Sequence, residues 1–458
     1  MSRQKEEFKP LHGNRINMFV CGPTVYDLSH LGHARTYVAY DIIARWLRHR
    51  GYSLFYLQNI TDVDDKIIAR AKERGMKPLE LSAEFTKEYY KDMSALGINQ
   101  VSLYAKASEY IPEMIAQAQQ IIDAGPGYVV EGDVYFDVSL FDDYGKLSHQ
   151  HPDELKEHRI EPDPRKRNPA DFSLWKSREK SEMGWDSPWG WGRPGWHLED
   201  TAITVTHFGP TYDMHGGAIE LAFPHHEAEI AQAQTATGVK PLVRYWTHTG
   251  LLTIRGEKMA KSLGNFVTIR DALKEYEPEV LRFFFANTHY RSPIDYTDSS
   301  LAEAKNGLEG LRNALHAARA AAGSEKKSKE LDDAVKAARK DFEAAMDDDF
   351  NTHSALAALF ALAAVVNKHL AAGKPSKPSL EGAVAAFKEL GSVLGILQAE
   401  KELAGGETIA KLVQAMIEQR NAARERKDFA AADKIRADLA AAGIVLEDSP
   451  KGTSWKLK

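Results

Sequence analysis

Three groups of residues could do chemistry. His30-Leu31-Gly32-His33 lies between a short apolar run and a segment of helical spacing. Two imidazoles around a glycine can donate to phosphate oxygens, in a loop entering a helix where unpaired backbone N–H groups and the helix dipole already favour an anion. Lys258-Met259-Ala260-Lys261-Ser262, flanked by Arg255-Gly256 and Gly264-Asn265, can place two ammonium groups on a triphosphate. Taken singly, the first is also two polar loop histidines and the second a solvated surface loop. The third is Cys21, the only cysteine. It excludes an internal disulfide and leaves three roles: metal ligand, nucleophile or buried apolar thiol. Asp62, Asp64 and Asp65 are more economically a helix N-cap and first turn than a magnesium site.

Such groups need elements to hold them. Ile16 to Val20 and Ser53 to Leu57 read as strands, and the spacing of Tyr37, Tyr40, Ile43 and Trp46-Leu47 predicts a helix over Thr36 to Arg48. Strand, loop, helix and strand form a βαβ unit of a parallel sheet, whose first loop is the usual ligand site, so the chemistry is expected between Cys21 and Thr36. Tyr128 to Val138 suits an antiparallel strand, with Val134, Phe136 and Val138 on one face. From Pro162 to Trp196, rich in Pro, Gly and Trp around Arg165-Lys166-Arg167, an insertion outside the parallel sheet is expected. Periodic structure returns at Thr201 to Thr206, Val243 to Thr249 and Leu251 to Ile254. After about Ala302 the chain turns to alanine-rich amphipathic helices with a break at Ala372 to Pro378, a helical bundle. A last charged unit follows: helices at Glu407 to Arg426 and Phe429 to Ala442, then short strands at Ile444-Val445-Leu446 and Thr453-Ser454-Trp455.

With 458 residues, 43% hydrophobic and 27% charged, several globular domains are expected. The net charge of −6 argues against indiscriminate nucleic-acid binding and restricts any such role to local patches, for example Arg420, Arg424, Arg426, Lys427, Lys434 and Arg436 with Lys451 and Lys456. Met1 to Asn17 has no apolar signal core and nowhere do about 18 apolar residues run together, so a cytoplasmic protein without a membrane partner is expected.

The histidine pair and the lysine loop, in this order and about 225 residues apart, resemble the two signatures of class I aminoacyl-tRNA synthetases. Phe19-Val20-Cys21-Gly22-Pro23-Thr24-Val25-Tyr26-Asp27, Asn59-Ile60-Thr61-Asp62-Val63-Asp64-Asp65-Lys66, Gly195-Trp196-His197 and Phe223-Pro224-His225-His226-Glu227 resemble cysteinyl-tRNA synthetase, over residues 16 to 458. The resemblance implies an α/β fold: a Rossmann-like parallel-sheet catalytic domain (1–115 and 193–250) with an inserted connective domain (116–192), a lysine-loop linking domain (251–305), a helical bundle (306–404) and a small anticodon-binding domain (405–458). It implies activation of L-cysteine with ATP and Mg2+ and transfer to the 3′ end of cysteine tRNA, by a monomer.

Residue by residue, it implies catalytic roles for His30, His33, Lys258 and Lys261; ATP or adenylate contacts at Gly22, Thr24, His30, Gly32, His33, Asn59, Thr61 and Lys261; and cysteine contacts at Cys21, Thr61, Trp196 and Glu220. It implies a zinc ion on Cys21, Asp200, His225 and Glu229, with the substrate thiolate as a further ligand, and anticodon contacts at Arg424, Phe429, Asp433 and Asp448. His225 and Glu229, four apart, can share one helix face. The family commonly has cysteine where this chain has Asp200, glycine at 218 and aspartate at 220. A carboxylate can ligate zinc, so the site can persist with a harder ligand set. Two rivals remain: a cysteine ligase acting on an amino-sugar glycoside, which should lack the anticodon-reading tail, and a non-catalytic paralogue with a lost metal site.

Overall fold

The apolar run ahead of Cys21 forms β1 (Arg15–Val20), buried along five of its six residues, the pattern of a strand covered on both faces. The computed structural model describes residues 4–150, 163–260, 263–373, 375–398, 406–449 and 452–457. Helix α1 (Leu31–His49) starts earlier than apolar spacing suggests, because His30 serves as its N-cap; His33 therefore belongs to the first helical turn rather than to a loop. β2 (Ser53–Ile60) pairs in parallel with β1, Arg15 opposite Ser53 and Val20 opposite Gln58. α2 (Asp65–Arg74) is N-capped by Asp64, as expected of the aspartate run. After α3 (Pro78–Ala95), β3 (Leu103–Lys106) extends the sheet beside β2, and α4 (Ile111–Asp123) leads out of it.

The insertion is an antiparallel sheet of β4 (Gly127–Val130), β5 (Asp133–Phe136), β6 (Phe172–Ser177) and β7 (Gly192–Pro194), in chain order. Tyr128 to Val138, expected as one strand, is instead the hairpin β4–β5. Its turn residues Glu131 and Gly132 both adopt positive φ, 51° and 88°, which reverses the chain without interrupting the hydrophobic alternation. The segment Thr201 to Thr206 lies within helix α5 (Leu198–Phe208).

β8 (Tyr212–Ala218) then enters next to β1, and after α6 (Glu227–Thr237) the chain adds β9 (Val243–Thr249) at the edge. The sheet runs β3-β2-β1-β8-β9, all parallel, so strand order reverses between β1 and β8, where ligands bind in such sheets. Sequence pattern missed β8, because Tyr-Asp-Met-His-Gly-Gly-Ala lacks strand formers at its end. Its glycine answers to packing: a Cβ on Gly216 would lie 2.4 Å from the Tyr40 ring. The Tyr40 hydroxyl accepts from the Gly217 N–H at 2.8 Å and donates to the Thr247 carbonyl at 2.7 Å, pinning α1 onto β8 and β9. Gly216→Ala is expected to destabilise the protein by about 1–3 kcal/mol through overpacking. A thermal melt reads this out, and an unshifted midpoint would show that the Tyr40 ring yields.

Beyond the sheet, β10 (Leu252–Ile254), β11 (Glu257–Lys258), α7 (Ile269–Glu275), α8 (Pro278–Ala286) and β12 (Ile294–Tyr296) build a small module with strand order β11-β10-β12. The bundle comprises α9 (Asp298–Ala320), α10 (Lys329–Asp347), α11 (Thr352–Ala371) and α12 (Lys377–Leu394). By length and composition α11, with mean hydropathy 1.5, could cross a membrane; here it packs against α9, α10 and α12. The buried Arg282 of α8 ties bundle to sheet, donating to Asp41 of α1 at 2.7 Å and to the carbonyls of Leu394 and Leu96. Residues 399–458 form a separate compact unit. In it α13 (Gly406–Glu425), α14 (Phe429–Ala441) and the hairpin β13 (Ile444–Ser449) and β14 (Gly452–Leu457) enclose Val413, Ile417, Leu439, Ile444 and Leu446.

Candidate active site

The start of α1 prepares two neutral imidazoles. His30 Nδ1 accepts the Gly32 N–H at 3.1 Å and His33 Nδ1 accepts the His30 N–H at 3.4 Å, a reciprocal capping box. An Nδ1 that accepts must be unprotonated, so each ring carries its proton on Nε2 as a donor. The rings stack at 3.8 Å, and burial, then the neighbouring His30, lowers the His33 pKa well below its ordinary value. Gly32 is required by this stack itself, since a Cβ there would lie 2.9 Å from the His30 ring.

At the switch point, Cys21 follows β1, Asp200 lies in the first turn of α5, His225 in the turn before α6 and Glu229 in the first turn of α6. All four are buried and their ligand atoms lie within 4.8 Å of one another. His225 Nε2 is 2.9 Å from Asp200 Oδ2 and 3.0 Å from Glu229 Oε1, and Cys21 Sγ is 4.0 Å from Glu229 Oε1. A tetrahedral zinc with bonds of about 2.0–2.3 Å sets its donors roughly 3.3–3.6 Å apart, a spacing this cluster brackets. Asp200 Oδ1 and Glu229 Oε2 are buried without a hydrogen-bond partner, Glu229 Oε2 having only His215 Nδ1 at 3.5 Å, which suits oxygens that can ligate a cation. Burial alone would lower the pKa of His225, but Glu229 and Asp200 outweigh it and raise it. Burial, then Asp200 and Glu229, pushes the Cys21 thiol up. A site that stabilises positive charge at His225 this strongly suits a divalent cation. The residues fit zinc.

The structure adds residues that sequence reasoning missed. His197 Nδ1 lies 2.7 Å from His225 Nδ1, which leaves His225 Nε2 facing the carboxylates. His215 of β8 and His226 approach Cys21 Sγ at 3.3 and 3.2 Å, so Cys21, His215, His226 and Glu229 form a second overlapping donor set. His197, His215 and His226 each lie within a few residues of positions singled out from the sequence, Trp196, Ala218 and His225, and that adjacency was the signal available. Trp196, 38% exposed, stacks on the His225 ring at 4.4 Å and walls the cluster.

Asn59 lies near the end of β2 and Thr61 just past it, and both donate to the buried Glu199 carboxylate, Asn59 at 3.0 Å. Burial, then Asp200, raises the Glu199 pKa well above the carboxylate range. Gly22 donates its N–H to the Asn59 side chain, and Thr24 bridges to Thr61, so the loop after β1 is stitched to the end of β2. Glu220, in the turn Ile219–Leu221 after β8, accepts from Lys258 Nζ at 2.6 Å. Lys261 lies outside the described residues.

In the C-terminal unit Phe429 is 60% exposed at the start of α14, and Arg424 and Asp433 are exposed. Asp448, expected to accept from a base edge, is already engaged: Arg420 grips it in a fork at 2.9 and 2.6 Å and Thr453 donates at 2.7 Å. Arg424 and Arg436 stand 3.8 and 3.9 Å from the same carboxylate. Three arginines thus surround this one carboxylate.

A five-stranded parallel sheet with paired imidazoles at the first helix and a lysine loop downstream defines the catalytic domain of a class I aminoacyl-tRNA synthetase. Residues 7–306 match the family of tRNA synthetases class I (C) catalytic domain, 341–398 the DALR domain and 409–455 the cysteinyl-tRNA ligase anticodon binding domain. A cysteine–tRNA ligase of Thermococcus onnurineus is 46% identical over 100% of this chain and 98% of its own length, and one of Hahella chejuensis 47% identical over the same shares. In fold, the methionyl-tRNA synthetase of Mycobacterium tuberculosis bound by methionyl-adenylate superposes with TM-score 0.60 at 16% identity, covering 83% of this chain and 90% of that one. The chain belongs to the cysteinyl-tRNA synthetase family.

Proposed function

We propose that this protein activates L-cysteine with ATP and transfers it to the 3′ end of cysteine tRNA in the cytoplasm, acting as a monomer. The observation that carries the reading is the convergence of Cys21, Asp200, His225 and Glu229, with two buried carboxylate oxygens that have no hydrogen-bond partner, beside Trp196 at the switch point of the sheet. These four residues would hold zinc, which would supply a borderline-soft Lewis acid favouring the substrate thiolate over the hydroxyl of serine, which ionises with far more difficulty. Trp196 packs beside the small side chain, and Glu220 accepts the substrate ammonium. The Nε2–H groups of His30 and His33 donate to the phosphates of ATP, which arrives with Mg2+, and Lys258 and Lys261 neutralise the charge that builds as pyrophosphate leaves. The cysteine carboxylate attacks the α-phosphorus, and the terminal adenosine of tRNA then attacks the adenylate.

Phe429 offers a stacking face for an unpaired anticodon base, with Arg424 as donor, Asp433 as acceptor and Asp448 positioning the arginines. The tail disfavours a ligase for amino-sugar glycosides, and the assembled donor cluster disfavours a paralogue that has lost its metal.

Cysteine-dependent pyrophosphate exchange, zinc content and charging of cysteine tRNA test the reading together. A folded, zinc-loaded sample that neither exchanges nor charges would sink it. Phe429→Ala is expected to raise the KM for tRNA about 5- to 150-fold, the span of one lost base stack. The loss should fall on charging, and an equal loss in pyrophosphate exchange would show misfolding instead.

A further inference from the structure

Lys258 and Glu220 belong to different modules, β11 of the small sheet and the turn that ends β8, yet Lys258 Nζ lies 2.6 Å from Glu220 Oε1. The contact joins the loop assigned to ATP to the residue assigned to the cysteine ammonium. Two ammonium groups on one carboxylate repel each other, so cysteine and Lys258 compete for Glu220, while Lys258 cannot reach a triphosphate as long as it is held there. The backbone around Lys258 is fastened independently: Asn265 donates to the Lys258 carbonyl at 3.1 Å and accepts the Ala260 N–H at 2.8 Å. An exchange of partners therefore needs only rotation of the lysine side chain about a held backbone. A glutamate at 220, where the family commonly has aspartate, supplies one more methylene of reach toward Lys258.

We infer that Glu220 is a positioning residue for the lysine loop: it holds Lys258 while the amino-acid site is vacant, and cysteine binding, by taking the carboxylate, releases Lys258 to the phosphates of ATP. The inference rests on the assignment of Glu220 to the substrate amine. By linkage each substrate must then tighten the other by the same factor. The side chains of Lys258 and Glu220 are 66% and 35% exposed, so the pair is a weak one and the factor is small, about two- to fivefold.

The test titrates the zinc-loaded full chain with α,β-methylene ATP, which is not turned over, with and without saturating L-cysteine. In the unmodified protein the Kd of the analogue should fall about two- to fivefold when cysteine is present. Glu220→Asp, which keeps the charge and shortens the arm, should lose this linkage and bind the analogue more tightly than the unmodified protein when cysteine is absent. Lys258→Met should lose the linkage and bind the analogue more weakly in both conditions. Equal Kd values with and without cysteine in the unmodified protein, or unmodified linkage in Glu220→Asp, would overturn the exchange. The Kd of cysteine alone separates the two assignments. If Glu220→Gln leaves it unchanged, the amine site itself is wrong and the exchange falls with it; if Glu220→Gln weakens it but Glu220→Asp retains the linkage, only the exchange is wrong.

Discussion

Asp200→Ala is expected to lower zinc affinity by more than about a hundredfold and to lower kcat/KM for cysteine activation in step. The floor follows from metal sites generally, where loss of an outer-shell partner alone costs about 10- to 100-fold; Asp200 Oδ2 is 2.9 Å from His225 Nε2 and its other oxygen has no partner. Removing the carboxylate also leaves His225 with Glu229 as its one remaining acidic neighbour in the proposed ligand set. Asp200→Cys should be tolerated, because a thiolate restores both the formal charge and a competent donor. Chelator competition reads the zinc affinity and pyrophosphate exchange reads the kinetics. Unchanged zinc and unchanged KM in Asp200→Ala would show that Asp200 is not a ligand. They would shift the metal to Cys21, His215, His226 and Glu229, which share two of the same donors.

His33→Ala is expected to lower kcat for pyrophosphate exchange about 10²- to 10³-fold, the usual cost of one prepositioned donor to developing charge. The loss should fall on kcat and on the KM for ATP, with zinc content retained, since His33 belongs to α1 and not to the metal cluster. A fall confined to the KM for cysteine would contradict the role. The same residue carries a pH signature. Burial lowers its pKa in the fold, so as pH falls through about 6.5 the unfolded chain takes up a proton that the folded chain refuses. This site therefore costs stability below about pH 6.5 and none above it, and His33→Gln should flatten that part of the stability profile. A profile as steep in the variant as in the parent would show that the acid limb belongs to other groups.

Much of the site was legible in the chain. His30 and His33 are three apart across a helix start, and His225 and Glu229 one helical turn apart, so local geometry alone places each pair on one face. Asp64 as an N-cap follows from the same short-range rules. Longer relations were not legible. β8 was missed because Gly216 is chosen by contact with Tyr40, which a strand pattern does not register. The hairpin at Glu131-Gly132 was missed because its two-residue turn preserves the alternation on either side. The fork from Arg420 onto Asp448 was likewise not legible, because nothing near Asp448 in sequence announces it.

The sequence by itself determined which chemical groups are available and which near neighbours can act as pairs, since helix and turn geometry operate over a few residues. It also identified the family, through words whose spacing survives along the whole chain. Only the tertiary structure decided which groups meet. Cys21 just past the first strand of the sheet, His215 from the fourth, Asp200 from one helix and Glu229 from another converge because parallel pairing sets β1 beside β8, with Phe19 opposite His215. Burial then decides their charge, raising the Cys21 thiol and lowering His215, and it leaves Asp200 Oδ1 and Glu229 Oε2 without a hydrogen-bond partner. Neither the register between distant strands nor the desolvation it produces is encoded in any short stretch of residues: the family resemblance names Cys21, Asp200, His225 and Glu229, but their contacts, and the approach of His215 and His226 to Cys21, belong to the fold.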